Sequence, residues 1–111
     1  MDDRQTTVGE LRAMVASFVE ERDWRQFHSA KNLSMSIAIE AAELMELFQW
    51  TDGEAADDRQ LARVGEELAD VVIYCLSLAN ALELDLARAV RDKVEANGRK
   101  YPAARFRGGF R

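Results

Sequence analysis

The sequence predicts an all-α fold, a four-helix bundle of antiparallel helices, on three observations. The chain holds only six glycines and one proline, and it is rich in Ala, Leu, Glu and Arg, which are good helix formers. Apolar residues recur at helical period in four separate stretches. The connections between those stretches are short, which favours antiparallel neighbours.

The first helix is expected from Thr7. Thr7 and Glu10 have capping-box spacing, in which each satisfies the other's free backbone N–H. Val8, Leu11, Val15, Phe18 and Val19 then repeat on one face until about Arg22. The connector from Asp23 to Lys31 is unusually aromatic, with Trp24, Phe27 and His28. Asn32 is expected to cap a second helix that runs to about Trp50. Thr51-Asp52-Gly53 reads as a turn, and Glu54 to Arg59 is polar and acidic. A third helix is expected over about Asp58 to Leu82. Asp85 caps a fourth, which reaches Asn97, where Gly98 offers a stop and Pro102 forbids much continuation. The chain reads as one domain over residues 1–111. Residues 103–111, basic and with Gly108 and Gly109, are expected as a flexible tail, with phosphate gripping as its alternative role.

Around Val71 to Leu82 the third helix is apolar on nearly every side. Such a helix is buried all round, and one small bundle cannot cover it. A homo-oligomer is therefore expected, a dimer or a dimer of dimers. Cys75 lies in this run and is expected to be a core thiol; a lone cysteine permits no intrachain disulfide. A formal net charge of −5 argues against a partner that is polymeric nucleic acid. The longest apolar run, Leu68 to Leu82, contains Asp70 and Asn80 and is too short to span a bilayer comfortably. With no signal pattern at the N-terminus, a cytoplasmic protein without membrane contact is the expectation.

The carboxylates stand where carboxylates are costly. On a wheel of about 100° per residue, Leu33, Ile37, Leu44 and Leu47 fall within roughly 60° of Glu40, and Glu43 falls on the other side of the same stripe. Around Glu67 the same arc holds Val64, Val71, Tyr74, Leu78 and Asp70, whereas Glu46 and Glu66 lie further round. Residues three apart are neighbours on a helix, so face-to-face packing of the two helices brings four acids together. Ionised acids in a partly buried site cost several kcal/mol each on the order of magnitude. They must either take up protons or bind cations. A cluster with oxygen donors only suits Mg²⁺, Mn²⁺ or Ca²⁺. Magnesium commonly completes its shell with substrate phosphates, which points to phosphate chemistry. Di-iron bundles need Glu-x-x-His pairs, and the single histidine, His28, is in none.

Ile39-Glu40-Ala41-Ala42-Glu43, followed two dozen residues on by Glu67-Leu68-Ala69-Asp70, resembles the E-x-x-E and E-x-x-D signature of the MazG-like all-α pyrophosphohydrolases. Glu21-Arg22-Asp23-Trp24-x-x-Phe27-His28, Leu47-Phe48-Gln49-Trp50 and Lys93-x-x-x-Asn97 before Tyr101-Pro102 are similar to the dCTP pyrophosphatase branch, so that the likeness runs from Phe18 to Pro102. The resemblance implies a Mg²⁺-dependent enzyme, Mn²⁺ being the possible substitute, that splits a (deoxy)nucleoside triphosphate into monophosphate and pyrophosphate. Its substrate would be dCTP or a modified nucleotide removed from the pool. It implies Glu40, Glu43, Glu67 and Asp70 as metal ligands, Trp24 and Trp50 at the base, Tyr74 near sugar or base, and Lys93 and Asn97 on sugar or phosphate. His28 is a further binding candidate, and Arg99 and Lys100 are phosphate candidates. A carboxylate not fully used in coordination, Glu43 or Glu46, would take the proton of the attacking water. The chain departs from the pattern in three places. Ile39 stands where many relatives have a second acid, Lys100 stands where Arg is frequent and loses bidentate geometry, and Val15 stands at a position where the dCTP branch has a base-reaching histidine. Two other readings compete: a noncatalytic helical oligomerisation or regulatory module, and a phosphohydrolase acting on a non-nucleotide pyrophosphate.

Overall fold

The computed structural model describes residues 1–52 and 57–110. Among them, all regular structure is helical: α1 over Val8–Glu21, a 3-10 turn at Arg25–Phe27, α2 over Ala30–Glu46, α3 over Asp58–Ala81, α4 over Leu86–Lys100 and the short α5 over Ala103–Phe106. The expected turn at Gly53 and the start of the acidic stretch, residues 54–56, lie outside the described residues.

Side chains cap each of the four long helices. The Thr7 hydroxyl accepts from the Glu10 amide at 3.1 Å, and Asp57 and Asp85 do the same for Gln60 and Arg88. At α2 the cap is Ser29, whose Oγ accepts from the Asn32 amide. The helix therefore begins before Asn32, whose side chain instead donates to the Phe27 carbonyl. Leu47 to Trp50, expected as the end of this helix, form turns. Helix α4 runs through Gly98 to Lys100, and Pro102 rather than the glycine ends it; an interior glycine at helical φ weakens a helix without stopping it. The expected tail carries α5, where the Tyr101 and Phe106 rings meet edge to face at 5.3 Å.

Helices α1 and α3 both end on a non-glycine residue in the left-handed region, Asp23 and Glu83, each at φ 54°. After Asp23 the Trp24 amide donates back to the Val19 carbonyl, and the Asp23 amide to that of Glu20. That pair of bonds closes the helix and throws the aromatic connector across the helix end.

Helix α3 packs along α2 and, less extensively, along α1. Val15, Val19 and Leu76 form the buried core, with Leu11 and Leu86 against it, and Leu33 is the most buried large side chain. A polar clasp ties α1 to the end of α3. Arg12 Nε donates to Asn80 Oδ1 at 3.0 Å, its Nη1 donates to the Leu84 carbonyl at 2.6 Å, and Asn80 Nδ2 donates to the Arg12 carbonyl.

Much apolar surface stays in water. Leu68, Val72 and Ile73 on α3 are 40–49% exposed, and Met14 and Phe18 on α1 are similarly open. With Leu11 they line a groove of about 550 Å³ between the two helices. Cys75 is half-buried and unpaired. Helix α4 buries no residue, and its Val90 and Val94 face solvent. The chain exposes 9068 Å², whereas a compact monomer of this mass exposes roughly 6,200 Å². Its radius of gyration is 16.8 Å against about 13 Å for a compact chain of this length.

Candidate active site

The acid pairs meet where α2 and α3 pack. One carboxylate oxygen from each of Glu40, Glu67 and Asp70 lies within 4.8 Å of the others. Glu43, one turn beyond Glu40, lies close enough to the Glu40 and Glu67 carboxyls to raise the pKa of both. The Glu40 pKa is pushed up to about 7, first by the Glu43 hydrogen bond, then by burial and by the charges of Glu43, Asp70 and Glu67. Glu67 is also raised, chiefly by burial, while Arg63 acts in the opposite direction.

The donor set fits a hard divalent cation on an observation independent of titration. Glu40 Oε2 and Glu67 Oε2 are buried and have no hydrogen-bond partner. Buried polar atoms are nearly always satisfied, and two such oxygens in one acidic cluster suit a cation between them. Beside the cluster, Glu43, Glu46, Leu47, Arg63 and Glu67 line a cavity of about 420 Å³. Arg63 is absent from the sequence reading, although its place four residues before Glu67 puts it on the same face.

The raised Glu40 pKa gives a pH prediction. Its folded pKa of about 7 lies above its ordinary 4.5. Its contribution to metal-free stability is therefore full below about 4.5 and is lost as pH rises through about 7. In the presence of a chelator, the melting temperature should fall from pH 5 to pH 7.5 more steeply in the wild type than in Glu40→Gln; equal slopes would contradict a raised Glu40 pKa.

The other expected residues are dispersed within the chain. Tyr74, half-buried, stands one turn beyond Asp70 on α3. Trp24 packs edge to face on Phe18 at 5.8 Å. Trp50 is 89% exposed. His28 lines a second cavity, between α1 and α3. Lys93 is exposed and Asn97 half-buried on α4, at the angular positions of Val90 and Val94. Arg99 and Lys100 close α4, with Lys100 Nζ 5.3 Å from the Tyr101 ring centre.

An all-helical chain whose E-x-x-E and E-x-x-D turns converge defines a class: small helical proteins built round an acidic cluster able to hold a cation. Comparison with known proteins makes this specific. Residues 35–108 match the MazG-like family, and the chain belongs to that family. It is 44% identical over 104 residues to human dCTP pyrophosphatase 1, covering 89% of this chain and 61% of the human protein. It is 40% identical over 109 residues to the Bos taurus protein of the same name, covering 94% and 64%. The chain thus spans a little over three-fifths of the length of these relatives. Among solved structures, a pyrophosphatase from Archaeoglobus fulgidus superposes with a TM-score of 0.76 at 40% identity, covering 92% of this chain and 98% of that one.

Proposed function

We propose that the protein is a Mg²⁺-dependent nucleoside triphosphate pyrophosphohydrolase, converting a (deoxy)nucleoside triphosphate and water to the monophosphate and pyrophosphate. The observation that carries this reading is the convergence of Glu40, Glu67 and Asp70, with Glu43 acting on two of them, in a chain like proteins named for dCTP and pyrophosphate cleavage. Glu40, Glu43, Glu67 and Asp70 would hold the ion, with Mn²⁺ able to replace Mg²⁺. Bound there, the metal neutralises charge that develops on phosphoryl oxygens.

The chain's own groups do the rest. Glu43 or Glu46, both on the cavity beside the cluster, accepts the proton of the attacking water. Arg63, on the same cavity, offsets part of the acidic charge when a polyphosphate enters. Tyr74 meets the sugar. The exposed Trp50 and the half-open Trp24 supply faces for stacking on a base. Lys93 and Asn97, with Arg99 and Lys100, hold sugar or phosphate.

Self-association belongs to the same proposal. The surface in excess of a compact monomer, roughly 2,900 Å² by the area scaling, is well above the about 800 Å² per partner of an ordinary stable interface. The apolar groove of α1 and α3 and the Val90–Val94 stripe of α4 are the surfaces a second copy of the chain would cover, completing an antiparallel four-helix bundle as a dimer or a dimer of dimers. No helix among the described residues is long and apolar enough to cross a membrane.

A screen for pyrophosphate release over canonical and modified deoxynucleoside triphosphates, with Mg²⁺ and with a chelator, tests the reading. Magnesium-dependent release from at least one of them is expected. Silence across the panel would leave the noncatalytic module in its place.

A further inference from the structure

Helix α3 carries a polar stripe that runs past both ends of its acid pair. Arg63, Glu67, Asp70 and Tyr74 follow one another at helical spacing, which sets all four on one face. At 1.5 Å per residue the stripe is about 16 Å long, enough for a nucleotide laid lengthwise. Tyr74 stands at one end and Arg63 at the other, with the cation-binding acids between them. Arg63 lies one turn from Glu67, about 6 Å along the helix axis.

The Arg63 end opens on the cavity of about 420 Å³ that Glu43, Glu46, Leu47 and Glu67 also line. Arg63 is the one cation among these described lining residues. Its charge is felt at Glu67, where it opposes the upward pull of burial on the pKa. Among the described residues, however, Arg63 takes part in no ion pair and no hydrogen bond. An exposed guanidinium, with five N–H donors in a planar fork, is therefore left for an anion that enters the cavity. That fork matches the oxygens of a phosphate two at a time. The E-x-x-E and E-x-x-D signature holds no cation, so Arg63 stands outside it.

We propose that Arg63 binds the terminal phosphates of the substrate, so that the protein reads the length of the phosphate chain at this residue. This rests on the reading above, with the cation at the Glu40–Asp70 cluster and the sugar at Tyr74. The order of residues along α3 then sets the direction of the chain. The phosphate bonded to the sugar falls at the acids nearest Tyr74, and the phosphates beyond it run past Glu67 toward Arg63. Without a cation, Glu43, Glu46 and Glu67 repel them. With Glu43 and Glu67 engaged on a divalent ion, Glu46 is the acid of the cavity that still opposes them, and Arg63 offsets its charge where the terminal phosphate arrives. A monophosphate ends before Arg63 and gains nothing from it. The pyrophosphate product keeps both terminal phosphates, so Arg63 holds it as well. Trp24 and Trp50 do not line this cavity, and the base contacts proposed above are unaffected.

The test compares wild type with Arg63→Gln and Arg63→Lys. One readout is calorimetric titration with inorganic pyrophosphate and, separately, with dCMP, in the presence of Mg²⁺; the other is kcat and KM on dCTP. Both variants should keep the wild-type helical signal, since Arg63 is exposed and Gln and Lys are good helix formers. Arg63→Gln should weaken pyrophosphate binding by about tenfold or more and leave dCMP binding unchanged. Arg63→Lys, which keeps the charge and loses the fork, should fall between wild type and Arg63→Gln. KM for dCTP should rise with pyrophosphate dissociation while kcat changes little, the sign of a contact already made in the ground state. An unchanged pyrophosphate affinity in Arg63→Gln would overturn the assignment. So would an equal or greater loss for dCMP, which would make Arg63 a residue that only sets the field of the cluster. A wild type that releases no pyrophosphate from any triphosphate removes the hydrolase reading, and the calorimetry still decides Arg63: a wild type that does not bind pyrophosphate refutes it.

Discussion

Glu40→Gln and Asp70→Asn should each reduce pyrophosphate release by on the order of 10³-fold while the far-ultraviolet helical signal stays at the wild-type level. Both substitutions keep shape and remove one negative charge. In Glu40→Gln the lost charge is one that the folded protein already holds reluctantly, since its carboxyl is raised to about 7. Removing it relieves repulsion with Glu43, Glu67 and Asp70, so the metal-free protein should be no less stable at neutral pH. Function should fail nonetheless, because a neutral amide withdraws one of the negative charges that attract and hold a divalent cation. Loss of activity with retained or increased stability is the pattern expected of a carboxylate kept for chemistry. Activity within tenfold of wild type in both variants would remove these side chains from the metal site. The measurement is steady-state pyrophosphate release at saturating Mg²⁺, paired with thermal melts in a chelator.

The second large effect concerns the apolar groove. Val72→Glu introduces a charge among Leu11, Met14, Phe18, Leu68 and Ile73. In an isolated chain the substitution is mild, because Val72 is 41% exposed and the new carboxylate can reach water. In an assembly that covers the groove it buries an unpaired charge, at a cost of several kcal/mol. Sedimentation velocity should show the wild type as a dimer or tetramer and Val72→Glu shifted to monomer at micromolar concentration. Its melting temperature should become lower and lose the dependence on protein concentration that the associating wild type shows, since association and stability are linked. A wild-type monomer, or a variant with unchanged sedimentation, would show that a second copy does not cover this groove.

Much of the fold is legible in the sequence because the determinants are local. Thr7 with Glu10, and Asp85 with Arg88, are read correctly as helix starts since a cap needs only a side-chain oxygen and a free amide three residues on. The same rule explains the slip at α2. Ser29 and Asn32 are both competent caps, and the choice between them depends on where the connector leaves Asn32, which is bound to the Phe27 carbonyl. Gly98 reads as a stop but stays helical, and the turn at Ala103–Phe106 depends on the contact of Tyr101 with Phe106, which no periodicity reports.

The acidic cluster is legible for the same reason as the caps. Carboxylates three residues apart in an apolar stripe declare a shared face, and the structure brings one oxygen from each of Glu40, Glu67 and Asp70 within 4.8 Å. The cavity between α1 and α3, where His28 of the connector faces Ser77 of α3, is not legible. It joins the connector after α1 to a point two turns beyond Asp70, a pairing set by how the left-handed Asp23 directs the chain. A serine on an apolar helix face carries no signal until its neighbours across the packing are known.

The most direct test is a titration of the wild-type protein with Mn²⁺, followed by the paramagnetic signal of the free ion, with and without a non-hydrolysable deoxynucleoside triphosphate. Saturable binding that is strengthened by the nucleotide and lost in Glu40→Gln and Asp70→Asn is the expected result. Binding that is absent, or that survives unchanged in both variants, would contradict a cation site built from the acids of α2 and α3.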